Sequence, residues 1–400
     1  MRFNPRFLTI QDIEGAKGRL QLLGPSEQGL SIMAPKMVCR SVYVENVDSR
    51  AANMLKQNML SIGGEVSLPR DAFAFDGSQI AVIISGNLKH YRELMKKLRL
   101  QPFGLRILAD ELEQLLDSES AGRILKLGGR AYDLGRRTLI MGVINTTPDS
   151  FSDGGIHISA EDAVEHGLRL AGEGADILDV GGESTRPGSD FVSLEEELQR
   201  VIPVIEGLAK LTDIPISIDT TKAEVARRGL DAGCAMVNEI SAMRLEEDML
   251  PLVVSRNVPV CLMHMQGMPK DMQVEPRYDD VIREIAQFLR ERADAAVEAG
   301  VSPSNIMIDP GIGFGKALEH NLEIIKCLRE FRSLGYPVVL GPSRKSFIGK
   351  VLDLPVDERL EGTAAAVALG IANGADMVRV HDVKEMVRVS RIADAIVGKG

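Results

Sequence analysis

Nine polar residues of this chain lie at, or just beyond, the end of an apolar run. Asp309 shows the pattern best, because it ends the run at 306–308 and precedes Pro310 and three closely spaced glycines. Such a break is typical of a buried strand that carries a carboxylate to its carboxyl end, where a ligand can bind. A helix cap or a turn gives the same pattern. The nine residues are Asn145, Asp179, Asp219, Asn238, His264, Asp309, Lys345, Arg379 and His381.

Eight apolar runs position these residues, and an amphipathic helical pattern follows each run. The runs cover residues 139–145, 177–179, 214–219, 236–238, 258–264, 306–309, 338–343 and 377–381. Alternating strands and helices predict a parallel sheet, and eight units in about 250 residues favour a closed (β/α)8 TIM barrel. A doubly wound open sheet is the alternative. In a barrel, all strands end at one mouth, so we expect the nine side chains to converge there.

The first 122 residues predict a separate small α+β N-terminal domain of unknown role. β-like runs lie at 37–47 and 79–85, helical patterns at 49–61 and 88–98, and a weaker strand near 65–75. We find no set of chemically suited residues in it. A cluster of Ser, Glu, Ala and Gly predicts a linker at 117–122, and the barrel domain then covers 126–400. We expect residues 130–137 to form a hairpin that closes the bottom of the barrel.

Composition excludes several classes of protein. The 400 residues carry a net charge of −10 and form no long Lys or Arg runs, which argues against nucleic-acid binding. The four cysteines lack paired spacing and predict free thiols in a reducing compartment. No secretory segment starts the chain, and no run approaches the ~20 apolar residues of a membrane helix. We therefore expect a cytoplasmic protein with no membrane partner.

Three of the polar residues suit a planar heterocycle. Asp219, Asn238 and Asp309 end the third, fourth and sixth runs. A carboxylate accepts two parallel hydrogen bonds from a guanidine-like edge, and an amide pairs with a ring N–H. A salt bridge explains any one of these residues equally well, but three on one rim favour a ligand.

Other residues suit anions and a cation. Arg379 and His381 are two apart on one strand and therefore share a face, which suits a diphosphate, with a structural salt bridge as the alternative. Ser343 precedes a helical pattern, where free N–H groups favour a carboxylate. Asn145 offers a neutral oxygen that can ligate Mg²⁺ or pin its loop. Cys261 and His264 face opposite sides of a strand, so we do not expect zinc.

Together these segments closely resemble the dihydropteroate synthase family of pterin-binding barrels. The resemblance rests on seven ordered motifs within residues 138–400: MGVINTTPDSFSDGG (141–155), DVGGESTRPGS (179–189), SIDTTKAEV (217–225), CLMHMQGMPKDMQ (261–273), DPGIGFGK (309–316), SRKSFIGK (343–350) and RVHDVKE (379–385). It implies condensation of 6-hydroxymethyl-7,8-dihydropterin diphosphate with p-aminobenzoate, with Mg²⁺ as cofactor. The products are 7,8-dihydropteroate and pyrophosphate, in folate biosynthesis. It also suggests a homodimer formed through barrel helices.

The resemblance assigns a role to each motif residue. It implies pterin contacts for Asp219, Asn238, Met263, Asp309, Phe314 and Lys345; diphosphate contacts for Asn145, Arg379 and His381, with Asn145 also a metal ligand; and p-aminobenzoate contacts for Phe151, Thr185, Arg186, Pro187, Ser343 and Arg344. Asp153, Lys345 and Asp309 are the implied catalytic residues. In the family mechanism the diphosphate leaves first, carboxylates such as that of Asp153 stabilise the methylene cation, and the neutral amine then attacks.

Two other functions compete with this one. Methyltetrahydrofolate:corrinoid methyltransferases share the pterin carboxylate and amide, but a methyl donor has no use for a diphosphate site. The Ser-Arg-Lys at 343–345 and the pair Arg379 and His381 therefore favour the synthase. A barrel that serves only as a scaffold is disfavoured by the complete set of rim residues.

Overall fold

The computed structural model describes residues 3–120, 123–146, 159–184, 192–268 and 272–399. Its contacts divide the chain into two compact units, residues 1–120 and 121–400. Each unit has a hydrophobic core of its own.

The first unit is a three-stranded antiparallel sheet with helices. Its elements are α1 (Ile13–Gln21), α2 (Glu27–Met37), β1 (Cys39–Asp48), α3 (Ser49–Leu60), β2 (Glu65–Ser67), β3 (Gln79–Asn87), α4 (Leu88–Leu98) and α5 (Leu105–Ser120). The sheet has the order β1-β3-β2. Ile80, Val82 and Ile84 alternate along β3 and bury one face of the sheet together with Leu55 and Leu94. This alternation is the β-like pattern that the sequence displayed.

In this unit, the structure differs from the sequence predictions where the sequence pattern was weak. The bounds of α4 match the prediction, and the Asn87 side chain caps this helix by accepting from the His90 N–H at 3.0 Å. The weak strand near 65–75 is mostly wrong, since β2 has three residues and a 3₁₀ helix covers Arg70–Ala74. Helix α5 continues to Ser120, so most of the predicted linker is helical.

The second unit contains eight parallel strands, each followed by a helix. Its elements are β4 (Ile124–Leu127), β5 (Arg130–Asp133), β6 (Leu139–Asn145), α6 (Ala160–Glu173), β7 (Ile177–Gly181), α7 (Leu194–Leu211), β8 (Ile216–Asp219), α8 (Ala223–Ala232), β9 (Met236–Glu239), α9 (Met249–Arg256), β10 (Val260–Met263), α10 (Val281–Glu298), β11 (Ile306–Asp309), α11 (Leu318–Lys326), β12 (Val339–Leu340), α12 (Ser346–Leu352), α13 (Leu360–Ala372), β13 (Met377–Val380) and α14 (Val383–Val397). Short 3₁₀ helices cover Pro303–Asn305, Leu328–Leu334 and Val356–Glu358.

These strands form the predicted TIM barrel. Their order is β11-β10-β9-β8-β7-β6-β13-β12, and a parallel bridge between Ile308 and Val338 joins the two ends of this sheet. Strands β8, β10, β12 and β13 are shorter than their apolar runs, because the ends of those runs belong to turns. The doubly wound alternative is therefore excluded.

A hairpin closes the amino-terminal end of the barrel. Strands β4 and β5 pair antiparallel, and Leu125, Leu127 and Tyr132 pack on the first residues of the barrel strands. Those first residues form a sulfur-rich floor that includes Met141, Met236, Cys261, Met307 and Met377. The predicted closure of the bottom is confirmed, although the hairpin begins at Ile124 rather than at 130. None of the described helices is long and apolar enough to cross a membrane.

Candidate active site

Arg379 lies at the centre of the barrel mouth and connects three strands. Its Nε donates to Oδ2 of Asp179 and its Nη2 donates to Oδ2 of Asp219, both at 2.6 Å. The Asn238 amide donates to the same Asp179 oxygen at 3.0 Å. Asp179 is fully buried, so it fixes the orientation of both donors. Arg379 of β13 thus joins β7 and β8, and Asn238 of β9 is connected to them through Asp179.

The pKa values of Asp219 and Arg379 are both raised. A raised pKa favours the neutral form of Asp219 and the charged form of Arg379. Burial raises the pKa of Asp219 to about 7; Arg379 opposes this shift and the negative charge of Asp179 adds to it. Burial alone would lower the pKa of Arg379, but Asp179 and Asp219 together raise it. The guanidinium therefore stays charged, and Asp219 is the group whose charge can change near neutral pH.

Asp309 forms a second polar centre at the end of β11. Its Oδ1 accepts from the Gly311 N–H at 2.7 Å. Burial raises the pKa of this carboxyl, while that N–H and the charges of Lys345, Lys316 and Arg379 oppose the shift. Burial lowers the pKa of Lys345 to about 8, and Asp309 opposes it. Asp309 and Lys345 thus stabilise each other in their charged forms.

An apolar wall stands beside these polar groups. Met263 and Phe314 belong to a small cluster with Ile240, Met265 and Met272. The Lys345 Nζ lies 4.2 Å from the centroid of the Phe314 ring and also donates to the Ile312 carbonyl. A flat aromatic ligand would find an apolar face and hydrogen-bonding edges in this arrangement.

The segment around Ser343 leads into helix α12. This helix begins at Ser346 with Lys345 as its N-cap, so two residues separate Ser343 from the helix. The Ser343 hydroxyl accepts from the His381 N–H at 3.2 Å and lies 3.0 Å from its Nδ1. Arg344 has a left-handed backbone with φ of 56° and forms an ion pair with Asp382. This ion pair holds the residue between Ser343 and Lys345 in an uncommon conformation.

Asn145 is the last residue of β6, half-buried at the mouth. Among the described residues, no group of three or more His, Cys, Asp or Glu side chains is arranged to hold a metal ion. The predicted residues Phe151, Asp153, Thr185, Arg186 and Pro187 lie outside the described residues.

His264 does not converge with the other rim residues, so that prediction is wrong. On β10, Cys261 and Met263 face the barrel interior, and the alternation turns His264 outward. Its ring packs edge-to-face on Phe288, with centroids 4.8 Å apart. Burial, with Lys316 and Arg244 nearby, lowers the pKa of His264 to about 2, so the imidazole is neutral.

Two buried lysines near the site had no assigned role in the sequence analysis. Lys222 donates to Glu197 at 2.5 Å and to Glu183 at 2.6 Å, and Glu183 stands in the Gly-Gly-Glu-Ser segment after β7. Lys316 follows the glycines after β11 and is 2% exposed. Both occur in polar loops of the sequence, where a lysine normally indicates an exposed side chain. The only available signal was their position directly after a strand-end motif.

The comparisons with known proteins agree with this geometry. The family model for pterin binding enzymes matches residues 141–381. A dihydropteroate synthase from Synechocystis sp. is 48% identical over 288 residues, which are 72% of this chain and 99% of that protein. A solved structure of Xanthomonas albilineans dihydropteroate synthase with 4-aminobenzoic acid is 46% identical and gives a TM-score of 0.65, covering 69% of this chain and 98% of that one.

A third relative includes the amino-terminal unit. The Haloferax volcanii protein named probable bifunctional folylpolyglutamate synthase/dihydropteroate synthase is 36% identical over 395 residues. That match covers 96% of this chain and 46% of the Haloferax protein. The residues before the barrel therefore have a counterpart in that relative.

Proposed function

The chain belongs to the dihydropteroate synthase family of pterin-binding enzymes, and from that premise we propose which residues carry each part of the reaction. The enzyme is a transferase that joins 6-hydroxymethyl-7,8-dihydropterin diphosphate to p-aminobenzoate and releases pyrophosphate, in folate biosynthesis. The bond from the pterin methylene to the diphosphate oxygen breaks, and a bond from the methylene to the amine nitrogen forms. The amine loses one proton.

We place the pterin against Asp219, Asn238, Asp309 and Lys345, with Met263 and Phe314 beside its ring. The observation that carries this assignment is the wall of Phe314 and Met263 next to hydrogen-bonding groups on β8, β9 and β11. Two carboxylates and an amide match the amino and ring N–H edge of a pterin. The Lys345 amine supplies a donor for a ring acceptor on the same side.

The diphosphate belongs, in this proposal, to Asn145, Arg379 and His381. Among the described residues, the bonds of the Arg379 guanidinium to carboxylates use Nε and Nη2 and not Nη1. Two of its three nitrogens are thus fixed by Asp179 and Asp219, which orients the group before the substrate arrives. His381 is held against Ser343 in the same way.

Mg²⁺ is the proposed cofactor, with Asn145 as its protein ligand. A half-buried amide oxygen suits a hard cation that takes few protein oxygens and completes its shell with phosphate oxygens and water. When bound, Mg²⁺ supplies positive charge that stabilises the leaving diphosphate.

The p-aminobenzoate site is assigned mainly from the family resemblance. Ser343 and Arg344 are described, and Arg344 is paired with Asp382. Phe151, Thr185, Arg186, Pro187 and the catalytic candidate Asp153 keep their implied roles. Departure of the diphosphate leaves a methylene cation, which Asp153, with Asp309 and Lys345 holding the pterin, would stabilise. An aniline nitrogen is neutral near pH 7, so its attack needs little help from a base.

We further propose a homodimer formed through α13 and α14. Ile392 and Ile396 on α14 are 66% and 79% exposed, and Leu369 on α13 is 58% exposed. Ile392 and Ile396 line a groove of about 390 Å³, together with Ala368 of α13. Such a large exposed apolar face is typical of an interface. Ile392→Asp with Ile396→Asp should give monomers in light scattering, whereas Val351→Asp, an exposed site on α12, should leave a dimer.

Pyrophosphate release tests the function directly. Purified protein with Mg²⁺ should release pyrophosphate only when both the pterin diphosphate and p-aminobenzoate are present. Lys345→Ala and Asp309→Ala should abolish turnover while the circular dichroism spectrum stays that of the parent. Near-parental rates in either variant would contradict the pterin assignment.

A further inference from the structure

Lys316 is a lysine whose amine is enclosed by protein. Its side chain is 2% exposed, and its Nζ lies 2.9 Å from the Phe314 carbonyl oxygen, 3.3 Å from the His264 carbonyl oxygen and 3.0 Å from the His264 Nδ1. An amine nitrogen has three directions for hydrogen bonds, and these three contacts use all of them. A lysine is rarely buried to this extent unless its amine is fully engaged.

These contacts join two segments that both reach the pterin end of the site. His264 directly follows β10, and Phe314 and Lys316 belong to the turn after β11. The Lys316 amine therefore connects the backbone after one strand to the backbone after its neighbour. Without it, the two carbonyl oxygens and the imidazole nitrogen would lose a buried partner.

The turn after β11 packs on the segment after β10 without free space. A Cβ at Gly311, where φ is 71°, would stand 2.0 Å from the His264 carbonyl oxygen. A Cβ at Gly315, where φ is 62°, would stand 2.3 Å from the Gln266 carbonyl oxygen. The two backbones therefore meet at distances that only glycine permits.

Other contacts show that the position of this turn is fully determined. The Asn321 Oδ1 accepts from the Gly313 N–H at 2.7 Å, and the Asn321 amide donates to the Lys316 carbonyl at 3.3 Å. The Tyr278 hydroxyl donates to the Gly315 carbonyl at 2.9 Å. Asn321 and Tyr278 hold the outer side of the turn, and Lys316 holds the side that faces β10.

The turn carries two groups of the proposed pterin site. The ring of Phe314 belongs to the apolar wall, and the Ile312 carbonyl accepts from Lys345. A displacement of the turn would therefore move the Phe314 ring and the Lys345 amine together. Burial lowers the pKa of Lys316 well below its ordinary value, and Asp309 opposes that shift.

We propose that Lys316 is a positioning residue for pterin recognition, which holds the turn at 311–316 against the end of β10. It touches no substrate itself. By fixing the carbonyl of Phe314 it sets the place of the aromatic wall and of the Lys345 amine. This inference rests on the proposed pterin site, because only that site gives the position of the turn a role in binding.

Lys316→Met tests the proposal, since Met keeps most of the side-chain volume and removes the amine. The Kd and the KM for the pterin diphosphate should rise about tenfold, while the KM for p-aminobenzoate at saturating pterin should change by less than about twofold. Lys326→Met is the matched control, because Lys326 is an exposed lysine at the end of α11. It should behave as the parent.

A second pair of variants covers the case in which Lys316→Met does not fold. His264→Phe keeps an aromatic ring against Phe288 and removes the Nδ1 contact, whereas His264→Asn returns an oxygen acceptor near the Nδ1 position. We expect His264→Phe to weaken pterin binding and His264→Asn to restore it. A folded Lys316→Met or His264→Phe variant with parental pterin affinity would overturn the proposal, and so would an equal loss for both substrates.

Asp309→Asn separates this inference from the proposed site itself. If Asp309→Asn weakens pterin binding and Lys316→Met does not, the pterin site stands and the role of Lys316 is wrong. If Asp309→Asn leaves pterin affinity unchanged, the proposed pterin site is wrong and the role of Lys316 is overturned with it.

Discussion

Arg379 donates from Nη2 to Oδ2 of Asp219 at 2.6 Å, across 160 residues of sequence. The same guanidinium donates to Asp179, and both carboxylates lie largely away from water. A cation that neutralises two buried carboxylates contributes to the fold as well as to the site, because its removal takes away the positive charge next to both of them.

Arg379→Met should therefore lower the free energy of unfolding as well as activity. We expect a loss of about 3 kcal/mol, at the lower end of the cost of breaking a buried ion pair because the guanidinium is partly exposed. Urea unfolding followed by circular dichroism measures it. Arg329→Met, at an exposed position, is the control and should change stability by less than about 0.5 kcal/mol. Equal stability of the two variants would mean that the carboxylates relax without the guanidinium.

Pterin affinity should depend on pH through Asp219. Its pKa is raised to about 7, so the carboxyl is protonated below that pH and can no longer accept two hydrogen bonds from the pterin edge. Affinity should be greatest above pH 7 and fall as the pH decreases towards 5.5. Calorimetric titration with 6-hydroxymethyl-7,8-dihydropterin, which has no diphosphate to titrate, measures the effect.

Asp219→Asn provides the comparison for this pH dependence. The variant should bind the pterin more weakly than the parent at pH 8, with an affinity that varies less over the same range. A parental profile as flat as that of the variant would show that Asp219 keeps its charge throughout.

Lys222 should matter for stability through Glu197. Glu197 is fully buried, and it accepts from Lys222 and from the Thr220 hydroxyl at 2.7 Å. Lys222→Met leaves that carboxylate without a cation, so we expect the free energy of unfolding to fall by about 3 kcal/mol. Lys210→Met, on the exposed end of α7, should have little effect. Matching urea midpoints for the two variants would contradict this.

The barrel unit should keep its activity when produced alone, as residues 121–400. It has its own core, and the residues 141–381 that the family model matches all lie within it. Steady-state assays should give a kcat/KM within about threefold of the full chain. A folded barrel that binds the pterin but cannot turn over would assign part of the site to the amino-terminal unit.

The strand ends that position the site were predictable from sequence. Each barrel strand is an apolar run with a polar residue at or near its end, and this local pattern is retained in the fold. It placed Asp219 and Asp309 at the ends of β8 and β11, and Asn238 one residue before the end of β9. Where the pattern failed, the cause was the direction of a side chain. His264 follows β10 and continues its alternation, so the side chain points outward against Phe288 and not into the mouth.

Contacts between distant residues were not predictable in this way. The link from Arg379 to Asp179 spans 200 residues and exists only because the barrel closes. Lys316 appears in the sequence as an ordinary loop lysine, and only the close approach of the turns after β10 and β11 buries it. Such contacts form only in the tertiary structure, and the periodicity of a local segment carries no information about them.

The hairpin of β4 and β5 determines at which end of the barrel ligands enter and leave. Leu125, Leu127 and Tyr132 cover the amino-terminal end of the barrel, so the described residues leave no passage along its axis at that end. Both substrates and both products must therefore enter and leave through the mouth of the barrel. The last product to leave also determines when the next pterin can enter. The rate of turnover in such a barrel therefore depends on product release as well as on the chemical step.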